Sequence, residues 1–374
     1  MKSQEKLSLL SELLDIERKQ DFQLYREKVL LKSLKERVEE GVCWYPVDLK
    51  RLYVGTGEKI IVEIKRTDDK EGKRPNALQA GSLVTVFGMN ADREAGQAGG
   101  VVYSLRKGSM KIVLSSDEIP AWLQDSRIGV NLDFDDKTYR EMQAAIKQVA
   151  SAKKDRLAEL REILMGGHEP AFGEWEYTFR HPLLNSSQEK AVQKVLEAKD
   201  VALIHGPPGT GKTTTLVHAI QEVLQREHQV LVCAPSNTAT DLLTIRCAEM
   251  GLNPVRLGNP ARVDESLQLH TLDSTIARHE DYGALKKLRV ESEQLYRKAS
   301  KYKRRMDRDQ YQRKREVLRE ARDLKRYAET LEDYIIGQVM DRSQVVCATL
   351  SGAGHKLLLK RKFNTVFIDE AGQA

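Results

Sequence analysis

The stretch HGPPGTGKTTT, residues 205–215, concentrates the residue types that handle phosphate. Gly206, Pro207, Pro208, Gly209, Thr210, Gly211, Lys212 and Thr213 fit G-x-x-x-x-G-K-[ST] without a mismatch, and Thr214 adds a further hydroxyl. Glycine lets the backbone curl until successive N–H groups face one anion. A lysine at this place puts a point charge near the β and γ oxygens of a nucleotide, and the threonine offers its hydroxyl to Mg²⁺. The spacing therefore predicts an ATP·Mg²⁺ site. A second chemical pair stands in VFIDEAGQA, residues 366–374, where Asp369 and Glu370 follow a short apolar run. Carboxylates at the carboxyl end of a parallel strand suit a metal ligand and a base that deprotonates water. That pairing favours hydrolysis over phosphoryl transfer to a small molecule.

Something must hold these groups, and the chain shows five textures. Residues 5–40 carry leucines at helical spacing and predict amphipathic helices. From Gly41 to about Ile119, short alternating runs such as KIIVEIK and SMKIVLS predict a small antiparallel barrel or sandwich. Residues 136–165 return to helix, with Tyr139, Met142, Ile146 and Val149 on one face. Beyond Leu184, apolar runs such as VALIHG and QVLVCAP alternate with helices, which implies a parallel sheet with a strand at Val201–Ile204 ahead of the glycine-rich loop. Within that region lies a basic helical stretch. From Lys286 to Arg326 there are 17 Lys or Arg and 7 Asp or Glu, whereas the whole chain carries a net charge of only +6. Such segregation suits a sequence-blind clamp on a polyanion, with Arg304, Arg305, Arg313 and Arg315 as candidates; charged helices are also commonly plain solvated faces.

Composition removes other classes. Four cysteines lie far apart and eight histidines show no ligand spacing, so neither a disulfide framework nor a zinc site is expected. No long apolar run predicts a membrane span, and the reduced pattern suggests a cytoplasmic protein.

In order along the chain, LNSSQEKAV, GPPGTGKTTT, APSNTATDLL, RLGNPARV, VVCATLSGAG and VFIDEAGQA resemble the Q motif and motifs I, Ia, Ib, Ic and II of superfamily 1 helicases. The wording is similar to the branch of the nonsense-mediated-decay helicase, and most of all to the immunoglobulin mu-binding-protein-type DNA/RNA helicases. The resemblance implies an α/β fold. Stalk helices at 1–40 and 136–168 flank a small β-barrel at 41–135. A first RecA-like domain follows at 169–374, interrupted by a helical subdomain at 275–342. It implies that Gln188, supported by Asn185, reads the adenine edge, and that Gln373 senses the γ-phosphate. Pro235, Ser236 and Asn237, with Thr349, correspond to contacts with a single-stranded DNA or RNA backbone; Ser236 and Asn237 are equally suited to capping a helix. The sequence ends four residues past Glu370. On the family plan this leaves the second RecA-like domain to other residues or to a separate chain. The expectation is then the N-terminal half of a helicase, from a truncated, interrupted or split gene, that binds without turnover. A passive nucleotide- and nucleic-acid-binding module, or another hydrolytic P-loop ATPase, are the alternatives.

Overall fold

The computed structural model describes residues 3–55, 59–67, 75–90, 93–106, 108–116, 119–174, 178–258, 267, 269–300 and 308–373. Helix α1 (Ser3–Tyr25) runs on into a π-turn at Arg26–Leu30, and α2 (Leu34–Glu39) starts at a Ser33/Glu36 capping box. Leu7 and Leu14, seven residues apart, are the buried side of α1. Its partner is α4 (Asp136–Ser151), continued after a break by α5 (Arg156–Leu164). The join is largely polar. Arg18 pairs with Asp136 at 2.6 Å, and the Tyr139 hydroxyl donates to Asp21 at 2.6 Å. No residue of α4 is fully buried, and Met142 is exposed, so the apolar face read from the sequence is only half used.

Between these helices, six antiparallel strands close a barrel in the order β1 (Cys43–Val54), β2 (Ile60–Arg66), β5 (Ser109–Leu114), β4 (Arg93–Arg106), β3 (Leu83–Asn90) and β6 (Arg127–Leu132). The sequence left barrel and sandwich open; closure removes every sheet edge. Alternation is strict in β5, where Met110, Ile112 and Leu114 point inward to meet Trp44, Ile64, Val84 and Val130. A short helix, α3 (Trp122–Asp125), adds Leu123 to this core.

The rest is a parallel sheet in the order β10 (Val366–Ile368), β7 (Val230–Ala234), β9 (Val345–Thr349), β8 (Pro254–Arg256). All five residues of β7 are buried, as expected for a strand covered on both faces. One face receives α6 (Ser186–Glu197) and α7 (Lys212–Val223) through Val192, Leu196, Val217, Ile220 and Val223. The other receives α9 (Leu272–Ala277) and the C-terminal half of α11 (Arg308–Arg342) through Ile276, Ile335, Val339 and Met340. Helix α10 (Tyr282–Ser300) pairs with α11 to form a long basic two-helix arm. Helix α8 (Asn237–Glu249) follows β7.

The strand expected at Val201–Ile204 does not form. A strand needs a neighbour to take its N–H and C=O groups. Among the described residues β10 is bonded to β7 alone, Val366 and Ile368 are exposed, and no ladder reaches 201–205; Leu203 is 83% exposed.

Candidate nucleotide and nucleic-acid site

Register brings the predicted residues to one end of the sheet. Ala234 of β7 aligns with Thr349 of β9, and Cys233 with Ile368 of β10. The Asp369 N–H continues the ladder to the Cys233 carbonyl at 2.9 Å. Thus Pro235, Ser236 and Asn237, then Thr349, and then Asp369 and Glu370 leave the carboxyl ends of three adjacent parallel strands. This is the edge where open α/β sheets receive ligands.

The glycine-rich loop enters α7. Gly209 and Gly211 have φ of +81° and +79°, values that a side chain resists. A Cβ on Gly211 would also stand 2.6 Å from the Gln188 amide nitrogen. Lys212 does not project freely: its Nζ donates to the carbonyls of Gly206 at 2.8 Å and Pro207 at 3.2 Å. Thr210 Oγ1 donates to the Pro207 carbonyl at 2.8 Å, which leaves Pro208 at the exposed tip. Thr213 Oγ1 has no partner among the described residues, and Thr214 is exposed.

Asn185 is the N-cap of α6, its side chain accepting from the N–H of Ser187 and of Gln188. Gln188 completes the capping box, with Oε1 accepting from Asn185 N–H at 3.0 Å, while its Nε2 donates to the Thr210 carbonyl at 3.1 Å. The Q-motif helix is thereby tied directly to the phosphate loop. Asp369 Oδ1 accepts from Glu370 N–H at 3.0 Å. Glu370 is exposed and sits at φ +52°, an uncommon conformation for a residue with a Cβ. The Gln373 side chain donates to Glu370 Oε2 at 3.4 Å, and its N–H to the Glu370 carbonyl at 2.8 Å.

On the nucleic-acid side, Ser236 caps α8 by accepting from Ala239 N–H, so the capping role is present. Thr349 Oγ1 accepts from Gly352 N–H at 3.0 Å and turns the chain after β9. Arg313 and Arg315 are exposed on α11; Arg304 and Arg305 lie outside the described residues. Arg315, Arg319 and Arg322 line one open groove on the arm.

Two groupings escaped the sequence reading. Arg256, fully buried, donates to Asp241 Oδ1 at 2.9 Å and to Asn237 Oδ1 at 2.8 Å. His218, buried in α7 behind the loop, has its ring 4.3 Å from that of His181, and burial, then the neighbouring His181, lowers its pKa. Arg256 lies 15 residues from Asp241 and on another element, and His181 is likewise distant from His218, so no local signal marks either grouping.

This geometry defines a P-loop nucleotide-binding α/β protein, and the family follows. The model of the AAA domain family matches residues 183–374. The chain is 30% identical over 381 residues to the DNA-binding protein SMUBP-2 of Mesocricetus auratus, covering 97% of this chain and 37% of that protein. It is 30% identical to the DNA polymerase alpha-associated DNA helicase A of Schizosaccharomyces pombe, covering 86% of this chain and 50% of that protein. It is 33% identical over 256 residues to the ATP-dependent helicase NAM7 of Saccharomyces cerevisiae, covering 63% and 23% respectively. The chain belongs to the AAA domain family and, within it, to the superfamily 1 helicases of the nonsense-mediated-decay helicase branch. It spans between about a third and a half of the length of the first two relatives. Among the described residues, no helix is long and apolar enough to cross a membrane.

Proposed function

We propose that this chain is the ATP-binding and strand-binding N-terminal part of a DNA/RNA helicase. The observations that carry the reading are the tie between the Q-motif helix and the glycine-rich loop, through Gln188 and the Thr210 carbonyl at 3.1 Å, and the acidic pair at the carboxyl end of a parallel strand. The residues suit the ligands. Gly209 and Gly211 hold the left-handed turns that a phosphate cradle needs, and Gln188 lies against the loop. Thr213 Oγ1 and Asp369 are hard oxygen donors fit for Mg²⁺. When bound, Mg²⁺ neutralises charge on the β and γ oxygens. Lys212 exchanges its two carbonyl partners for phosphate oxygens, Glu370 orients and deprotonates the attacking water, and Gln373 steadies Glu370. Asn237, Thr349 and the arm carrying Arg313 and Arg315 hold the strand without reading its sequence.

Turnover by these residues alone is low in this reading. Several arginines near the sheet already have partners: Arg180 pairs with Glu189, Arg246 with Glu249 and Arg256 with Asp241. An arginine acting on the γ-phosphate contributes about 10³–10⁵ in rate, and here a second RecA-like domain, in a longer protein or a separate chain, supplies it. Calorimetry with a non-hydrolysable ATP analogue tests the site. Lys212→Ala is expected to weaken binding on the order of 10²-fold, by loss of charged hydrogen bonds to phosphate. Equal affinity in the two proteins refutes the assignment.

A further inference from the structure

The buried guanidinium of Arg256 does more than pair with a carboxylate. Its Nε donates to Asp241 Oδ1 at 2.9 Å, its Nη1 to the Leu257 carbonyl, and its Nη2 to Asn237 Oδ1 at 2.8 Å. Guanidinium is a donor on every side and accepts nothing. The Asn237 atom facing it is therefore the carbonyl oxygen, and the amide has one orientation. Its N–H₂ group is turned away from Arg256, and Nδ2 has no partner among the described residues. That nitrogen lies 3.9 Å from where a Cβ on Gly81 would stand. Gly81, at φ +90°, belongs to an exposed turn of the barrel. Asn237 thus offers two N–H donors, and no acceptor, into the seam between barrel and parallel sheet. Further along the same seam Lys59, just ahead of β2, reaches Asp273 of α9 at 3.4 Å.

We propose that Arg256 is a positioning residue for strand binding: by fixing the Asn237 amide it presents a phosphate oxygen with donors alone. The inference rests on the nucleic-acid reading above and assigns a polarity to one contact within it. An asparagine free to rotate would present its carbonyl half the time, and that oxygen repels phosphate. Burial makes the arrangement rigid, because Arg256 has no exposed surface and Asp241 is 9% exposed at its side chain. Rotating the Asn237 amide would leave a guanidinium donor facing an amide nitrogen inside the protein, a cost that keeps the single orientation.

Asn237→Asp separates the two sides of the residue. An aspartate keeps an oxygen facing Arg256, yet replaces the outward donor with a carboxylate oxygen. Binding of fluorescein-labelled dT20 to the 374-residue chain is followed by anisotropy at several salt concentrations, with thermal melting in parallel. The expectation is an unchanged or raised melting temperature and an affinity lowered on the order of tenfold, with a loss greater than that of Asn237→Ala. A double-mutant cycle completes the test. Arg256→Met is expected to weaken dT20 binding in the parent chain and to add little in the Asn237→Ala background. If Arg256→Met does not fold, the comparison of Asn237→Asp with Asn237→Ala decides. Parent-like binding by Asn237→Asp, or an equal loss from Arg256→Met in both backgrounds, overturns the inference and leaves the nucleic-acid reading intact. Failure of the parent chain to bind dT20 at low salt overturns both.

Discussion

Replacing Gln188 by glutamate separates the two jobs that the side chain performs. Its Oε1 accepts from Asn185 N–H at 3.0 Å, and its Nε2 donates to the Thr210 carbonyl at 3.1 Å. Glutamate keeps the first bond, because a carboxylate oxygen accepts as the amide oxygen did. It loses the second, worth about 1 kcal/mol, and turns an oxygen toward the Thr210 carbonyl. Against that loss stands a negative charge in the first turn of α6, worth about 0.3–1 kcal/mol. The two nearly offset, so the melting temperature is expected to move by no more than about 2 °C. Nucleotide binding feels a different balance. In the proposed site the amide reads the adenine edge with one donor and one acceptor, and glutamate has lost the donor. Affinity for an ATP analogue is expected to fall about tenfold, and the preference for adenine over guanine nucleotides to shrink. Calorimetry with ATP and GTP analogues, beside a thermal melt, reads both quantities. Unchanged affinity and selectivity at an unchanged melting temperature refute the assignment of Gln188 to adenine.

Neutralising Arg313 and Arg315 together is expected to weaken binding of all single strands about equally. The slope of log K against log salt should flatten by up to about 0.7 per lost phosphate contact, and an unchanged slope returns them to a solvated face. Glu370→Gln should leave ATP-analogue affinity within about twofold while removing the strand-stimulated phosphate release measured once a second RecA-like domain is supplied. His218, His270 and His355 all have pKa values lowered chiefly by burial, so the folded chain keeps them neutral where the unfolded chain takes up protons. Stability therefore rises with pH through the region just below 6.5 and is lost on acidification. Melting temperatures measured from about pH 7.5 to 5.5 should fall, and His218→Gln should make that fall shallower.

The fold class was legible because its signals are local. Alternation marked β2 and β5, helical spacing marked α1 and α4, and the apolar run of β7, set among helices, announced a parallel sheet. The glycine-rich loop was readable for a similar reason, since its chemistry is written in consecutive residues. What escaped depends on distant partners. A run such as VALI has the composition of a strand, but composition cannot supply the neighbour that a ladder needs. Arg256 looked like one more charge in RLGNPARV until the fold buried it against Asp241 and Asn237. His181, in the segment ahead of α6, meets His218 of α7 because its N–H is held by Glu189 of α6 and the two helices pack side by side.

The arm formed by α10 and α11 has a mechanical consequence. Helix α11 is 35 residues long, and all its buried residues named here, from Ala321 to Met340, lie beyond its first third. Its root, at Ile335, Val339 and Met340, is packed into the sheet. The cationic groove at Arg315, Arg319 and Arg322 is thus about 20–30 Å from that root, at 1.5 Å per residue. Over such a length a tilt of about 5° at the root displaces the far end by about 2–3 Å, roughly the reach of one hydrogen bond. The arm is in effect a lever whose short end is packed on the face of the sheet opposite α7. A small tilt of the helix against β7 or β9 becomes, at the charged end, a displacement about as long as a hydrogen bond.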